Sequence, residues 1–90
     1  MATILRTDGT QDQISLAAST AERLRQLQEA VGGHIELVGE IDSGALVFAN
    51  ENGRLLDLPP NQLASLLVDR LLVGNVIVLS RREAHLDELH

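Results

Sequence analysis

The chain has 90 residues with 13 acidic and 7 basic side chains, and its formal net charge is −6. A chain of this length supports one hydrophobic core, so a single domain over residues 1–90 is expected. The absence of cysteine excludes disulfides, thiolate metal sites and cysteine nucleophiles. Nucleic-acid binding is disfavoured because the chain is acidic and has one aromatic residue, whereas such proteins use basic patches and stacking rings. Neither a secretion signal nor a membrane helix is indicated, so the cytoplasm is the expected location.

The first third of the chain predicts a β-hairpin followed by a helix. Residues 2–6 favour a strand, and Asp8-Gly9 with the polar residues after it predicts a loose turn into a second strand at residues 14–16. A capping box at Ser19 starts the helix, whose apolar residues recur at helical spacing until Gly32-Gly33 ends it.

The middle of the chain predicts three strands in an antiparallel meander. The first is His34 to Val38, where polar and apolar residues alternate, and the second is Ala45 to Ala49. The third is Arg54 to Leu58, which Asn52-Gly53 joins to the second through a tight turn.

The last third predicts a helix and a strand. Pro59-Pro60 stops the meander, and Asn61 can cap a helix that runs from Gln62 to about Leu72. Val76 to Leu79 is a hydrophobic run typical of a buried strand. Residues 81–90 are expected to form a frayed helical turn or a tail.

The predicted order of elements is β-hairpin, helix, β-meander, helix and strand, which indicates an α+β fold. We expect one mixed, mostly antiparallel sheet with one long helix. Helices are expected to cover one face of this sheet, and a β-grasp-like arrangement is the closest familiar form.

Three stretches of the chain resemble a known family: LQEAVGGHIELV from Leu27, NENGRLLDLPPN from Asn50 and GNVIVLS from Gly74. Their order and spacing are similar to the small family known as domain of unknown function 3846, which occurs in bacteria, plasmids and phages. The positions that carry the resemblance are Gly32, Gly33, His34, Ile35, Glu36, Asn50, Gly53, Leu58, Pro59, Asn61 and Gly74. His34 stands where Tyr is usual in the family. The resemblance implies a fold and a mobile-element context, and it brings no established activity.

Metal and catalytic sites have weak support in the sequence. Five residues place oxygen ligands in one span: Asp42, Asn50, Glu51, Asn52 and Asp57. Their spacing does not fit a calcium-binding loop, so turn chemistry is favoured and no metal site is expected. His34 and Glu36 share one strand face, and a carboxylate there can orient an imidazole for catalysis. A solvated strand face is the favoured interpretation, because no nucleophile motif accompanies the pair. Gly32-Gly33 follow a helix, whereas phosphate-binding glycines precede one.

An anion-binding pocket is a second hypothesis. Arg54 follows the Asn52-Gly53 turn, and with Arg70 it can form an arginine pocket for a nucleotide or an acidic partner. Solvated positions for both arginines are the favoured alternative. The candidate ligand-binding residues are Arg54, Asn50, Asn61, His34 and Glu36.

The predicted helix after Asn61 is apolar over too wide an arc for one buried stripe. Its candidate interface residues are Leu63, Leu66, Leu67 and Leu71. The apolar surface that covers these leucines is expected to come from another copy of the chain, in a homodimer or other homo-oligomer, or from a host protein. Complete burial within one copy of the chain is the alternative.

We therefore expect a small non-enzymatic binding or regulatory protein of phage, plasmid or bacterial origin. It is expected to act through protein–protein contact, on a host or defence factor, and to need no cofactor. The alternative is a small-molecule or nucleotide-binding protein with an Arg/Asn pocket at an oligomer interface. Catalysis by His34 and Glu36 ranks last.

Overall fold

The computed structural model describes residues 2–80 and 82. The elements in that part of the chain are β1 (Ala2–Leu5), β2 (Gln11–Ile14), α1 (Thr20–Val31), β3 (Ile35–Glu40), β4 (Leu46–Asn50), α2 (Gln62–Val68) and β5 (Val76–Leu79). The strands form one sheet in the order β2-β1-β5-β4-β3, and every pairing is antiparallel. The α+β class is confirmed, but the sheet is not mixed.

The two helices lie on opposite faces of the sheet, because β4 and β5 are apolar on both sides. On the α1 face, Phe48 and Ile77 belong to the same buried cluster as Leu27 of α1. On the α2 face, Val47 belongs to a second cluster with Ala64 of α2. Strands that alternate between two buried faces need cover on each. This arrangement differs from the one-faced, β-grasp-like arrangement that the sequence predicts.

The ends of α1 are those that the sequence predicts. The Ser19 hydroxyl accepts a hydrogen bond from the Glu22 N–H at 3.2 Å. At the other end Gly32 has a φ of 80°, and its N–H donates to the Gln28 carbonyl. Glycine is the residue that adopts this left-handed conformation at least cost. α1 has 12 residues, which is an ordinary length for a globular protein rather than the long helix expected.

The opening hairpin is tighter than predicted. Its turn ends at Thr10, and β2 begins at Gln11. The Asp8 carboxylate accepts hydrogen bonds from the N–H and the hydroxyl of Thr10 at 2.9 and 2.6 Å. These bonds lower the pKa of Asp8 from its ordinary value of 3.8, and the bond from the hydroxyl has the largest effect. The polar residues assigned to the turn therefore form an edge strand.

The predicted third strand of the meander is wrong, because residues 51–57 form consecutive turns. The side chain of Asn50 accepts from the Asn52 N–H at 2.8 Å, which bends the chain directly after β4. The Leu56 N–H then donates to the Asn52 carbonyl, and the Leu58 N–H to the Gly53 carbonyl. The backbone groups are thus satisfied locally, and β5 takes the free edge of β4.

α2 ends at Val68, four residues before the predicted Leu72. Asp69 adopts a left-handed conformation with a φ of 53°, which terminates the helix. The Ser65 hydroxyl accepts from the Leu72 N–H at 2.8 Å, so the chain turns back along the helix it has just left. Leu72 is buried by this return and does not lie on the helix.

The predicted tail at residues 81–90 lies outside the described part of the chain, apart from Arg82. Among the described residues, no helix combines the length and apolarity that crossing a bilayer requires.

Candidate functional site

Asn50, a candidate ligand-binding residue, is occupied by structural hydrogen bonds. It is 7 % exposed, and its amide nitrogen donates to the Val31 carbonyl at the end of α1 at 3.1 Å. Its amide oxygen accepts from the Asn52 N–H. A Cβ on Gly33 would lie 2.8 Å from this amide nitrogen, so the residue at that position has to be glycine or the amide has to move. Asn50 therefore ties the end of α1 to the turn after β4.

Asn61, a second candidate ligand residue, is fully buried and also structural. Its amide nitrogen donates to the carbonyls of Leu5 and Gly74, both at 2.9 Å. Its amide oxygen accepts from the Ala64 N–H at 3.1 Å and caps α2. One side chain thus joins β1, the approach to β5 and the start of α2, and it does not line the cleft described below.

The other signature positions on the α2 face are close-packing sites. A Cβ on Gly53 would approach Val73 to 2.8 Å, and a Cβ on Gly74 would approach Leu58 to 2.7 Å. These contacts hold the segments after β4 and before β5 against each other. Six of the positions that carry the family resemblance therefore have structural duties: Gly32, Gly33, Asn50, Gly53, Asn61 and Gly74. Functional groups have to be sought among the other side chains.

A cleft of about 120 Å³ lies on the α2 face, between β3, the turns after β4 and the segment that follows α2. Its inner wall is apolar and includes Val38, Ala49, Leu72 and Val73. Four charged side chains also line it: Glu36, Glu51, Arg54 and Arg70. We call this concavity the charged cleft. Its lining includes the candidate residues Glu36, Asn50, Arg54 and Arg70, whereas His34 and Asn61 lie outside it.

The four charges of the charged cleft are not paired with one another. No ion pair within 4.0 Å joins them in the described part of the chain. One guanidinium nitrogen of Arg70 donates to the Val38 carbonyl at 3.1 Å, at an irregularity in the β3–β4 pairing. The side chain of Arg54 makes no hydrogen bond to any described residue; only its backbone carbonyl does, accepting from the Asp57 N–H. Its donors are therefore available to a molecule in the cleft.

A second feature on the same face is a group of exposed leucines. Leu55, Leu66 and Leu71 are 86 %, 81 % and 60 % exposed, and we call them the leucine surface. Leu71 lines the charged cleft together with Leu55, and it lines a shallow neighbouring depression together with Leu66. The three side chains therefore lie along one continuous strip.

The remaining predicted interface residues differ in exposure. Leu67 of α2 is 43 % exposed, whereas Leu63 is half-buried and packs against the core of the α2 face. The sequence treats all of these leucines as one helical face, but Leu71 lies beyond the end of α2. Leu55 is not among the predicted interface residues, because the sequence predicts that it lies in a strand.

His34 and Glu36 are both exposed, and only Glu36 lines the charged cleft. In the part of the chain that the structure describes, no three His, Asp or Glu side chains are grouped closely enough to hold a metal ion. The charged cleft and the leucine surface therefore remain as candidate binding features in the described part of the chain.

Comparison with curated proteins and with solved structures gave no significant match. The sequence model of the family described as Domain of unknown function (DUF3846) matches residues 1–90. This match agrees with the signature positions, several of which are helix caps, buried asparagines or close-packed glycines in the structure. The chain belongs to the DUF3846 family.

Proposed function

We propose that this protein is a small non-enzymatic binding protein that acts through protein–protein contact, with the leucine surface as its contact region. The observation that supports the proposal is the exposure of Leu55, Leu66 and Leu71 along one strip of the α2 face. Single exposed leucines are common on monomers, whereas adjacent ones mark contact sites more often.

The structure of α2 gives this proposal a physical basis. α2 has 7 residues, and Ala64 is its buried side chain, so the helix covers the sheet with a small residue. Leu66 is two residues after Ala64, so it lies on the opposite side of the helix and points away from the core. Its burial therefore requires a second molecule, and each buried leucine side chain contributes about 2 kcal/mol to association.

The partner that we propose is another copy of the chain or a host protein in the bacterium, plasmid or phage context of the family. An obligate or stable partner is expected to bury the central leucines and leave polar residues at the rim. Gln62 and Asp69 line the depression beside Leu66 and supply such a rim.

The test uses charge insertion at the strip. Wild type at about 100 µM is expected to sediment above the monomer mass, or to capture a defined partner from cognate bacterial lysate. Leu66→Glu and Leu71→Glu are expected to remove that association, because each places a carboxylate in the apolar contact. Circular dichroism should show an unchanged fold, since both side chains are exposed.

Leu37→Glu is the matched control. Leu37 is 46 % exposed, but it lies in β3 opposite Phe48 and therefore on the α1 face. Association that survives Leu37→Glu and disappears with Leu66→Glu supports the proposal. A wild-type protein that stays monomeric and captures nothing contradicts it, as does an association that Leu66→Glu and Leu71→Glu leave unchanged.

A further inference from the structure

The charged cleft combines opposite charges that do not neutralise each other. Glu36 is supplied by β3, Glu51 directly follows β4, and Arg54 lies in the turns. None of them forms an ion pair within the cleft, although all line the same small concavity. A ligand that carries both charges would satisfy both sets of groups.

The size of the charged cleft limits the ligand. Its volume is about 120 Å³. Pockets that hold drug-sized molecules or cofactors are about 300–1,000 Å³, so the charged cleft is smaller than a typical nucleotide pocket. A compact molecule is the appropriate size, with any longer side chain pointing to the open side.

The net charge of the chain selects among small ligands. A chain with a formal charge of −6 repels a simple anion, whereas a zwitterion carries no net charge and meets no such repulsion. The apolar inner wall formed by Val38, Ala49 and Leu72 accepts methyl or methylene groups. These features together describe the recognition of a charged pair attached to a short aliphatic group.

We propose that the charged cleft binds a small zwitterion of the amino-acid class. Arg54 and the free donors of Arg70 hold its carboxylate, and Glu36 and Glu51 hold its ammonium group. A planar guanidinium suits a carboxylate because its paired N–H donors match the two oxygens. Binding at this site does not require the protein–protein contact proposed above, although Leu55 and Leu71 belong to the leucine surface and also line the cleft.

The experiment is a titration followed by NMR on the ¹⁵N-labelled full chain. The probes are glycine, L-alanine, L-serine and β-alanine, with acetate and methylammonium as single-charge controls. A zwitterion is expected to bind with a Kd of about 1 mM and to shift amides near Glu36, Glu51 and Arg54. Acetate and methylammonium are each expected to bind at least about tenfold more weakly, since each satisfies one charge.

Two variants remove one half of the recognition each. Arg54→Gln and Glu36→Gln are both expected to weaken zwitterion binding about tenfold or more, without loss of fold because both side chains are exposed. Arg25→Gln is the control, since Arg25 pairs with Glu22 on α1 and lies outside the cleft. It is expected to bind like wild type.

Two results overturn the proposal. One is the absence of saturable shifts with every zwitterion at about 10 mM. The other is binding of acetate as tight as that of alanine, which identifies a plain carboxylate site. Because Leu66 and Leu37 do not line the cleft, their variants report on the protein-contact proposal separately.

Discussion

The two faces of the sheet are covered in different ways. On the α1 face, a helix of 12 residues packs Leu27 and Val31 against the strands, and Leu37 is the large apolar side chain of that face that stays exposed. On the α2 face, a helix of 7 residues and irregular segments together cover the sheet, and several leucines stay exposed. A helix of about three turns covers most of one face, whereas the shorter helix and the turns of the other face leave apolar groups and a concavity for contacts with other molecules.

The largest expected effect tests the α1 face of the sheet. Leu27→Ala, in the middle of α1, removes a fully buried side chain from the core of the α1 face. We expect the free energy of unfolding to fall by about 3 kcal/mol, from lost burial and the cavity left behind. Urea unfolding monitored by circular dichroism measures this value.

Leu66→Ala is the matched substitution on the α2 face. Because Leu66 is 81 % exposed, its truncation is expected to change the free energy of unfolding of the monomer by less than about 0.5 kcal/mol. Equal costs for Leu27→Ala and Leu66→Ala would show that the two faces do not differ as described.

An effect of intermediate size tests how α2 is held against the sheet. Asn61→Ala removes three hydrogen bonds and leaves the carbonyls of Leu5 and Gly74 buried without this donor. We expect a loss of about 2–3 kcal/mol in urea unfolding. Gln62→Ala, at the exposed neighbouring position, is expected to cost less than about 0.5 kcal/mol. A similar cost for both variants would mean that Asn61 does not anchor α2.

The smallest expected effect lies at the sheet edge, away from both helices. The folded-state pKa of Asp8 is lowered, chiefly by the Thr10 hydroxyl. Its contribution to stability is therefore present above the unfolded-state pKa and is lost as the pH falls through the lower folded-state value. Asp8→Ala is expected to lower the Tm slightly at pH 7, and the difference from wild type should shrink in acid.

Thr10→Val checks the cause of that pH dependence. It removes the hydroxyl donor at 2.6 Å, so the Asp8→Ala difference should become smaller at pH 7 in its presence. A pH-independent difference between wild type and Asp8→Ala would exclude a role for the Asp8 charge.

Local motifs were predictable because their chemistry acts within a few residues. Ser19 caps α1, Gly32 ends it in a left-handed conformation, and Asn61 caps α2. β5 was predictable as a continuous apolar run. In each case the hydrogen bond or the burial requirement is set by neighbours along the chain.

The candidate sites were predictable only in part. The sequence places Arg54 and Arg70 among the available cations, but it assigns residues 54–58 to a strand and Leu71 to a helix. Both assignments fail because the Asx turn at Asn50 and the left-handed Asp69 redirect the chain. Residue pattern alone does not reveal which of several satisfied backbone conformations the packing selects.

The sequence by itself determines the α+β class, the two helix starts, the last strand and the family, because capping chemistry and hydrophobic period are local. Tertiary structure alone decides that the helices cover opposite faces, that the sheet is wholly antiparallel and that Asn50 and Asn61 are structural. It also decides that Glu36, Glu51, Arg54 and Arg70 meet in one cleft. Side chains so far apart in sequence come together only after β4 pairs with β3 on one edge and with β5 on the other.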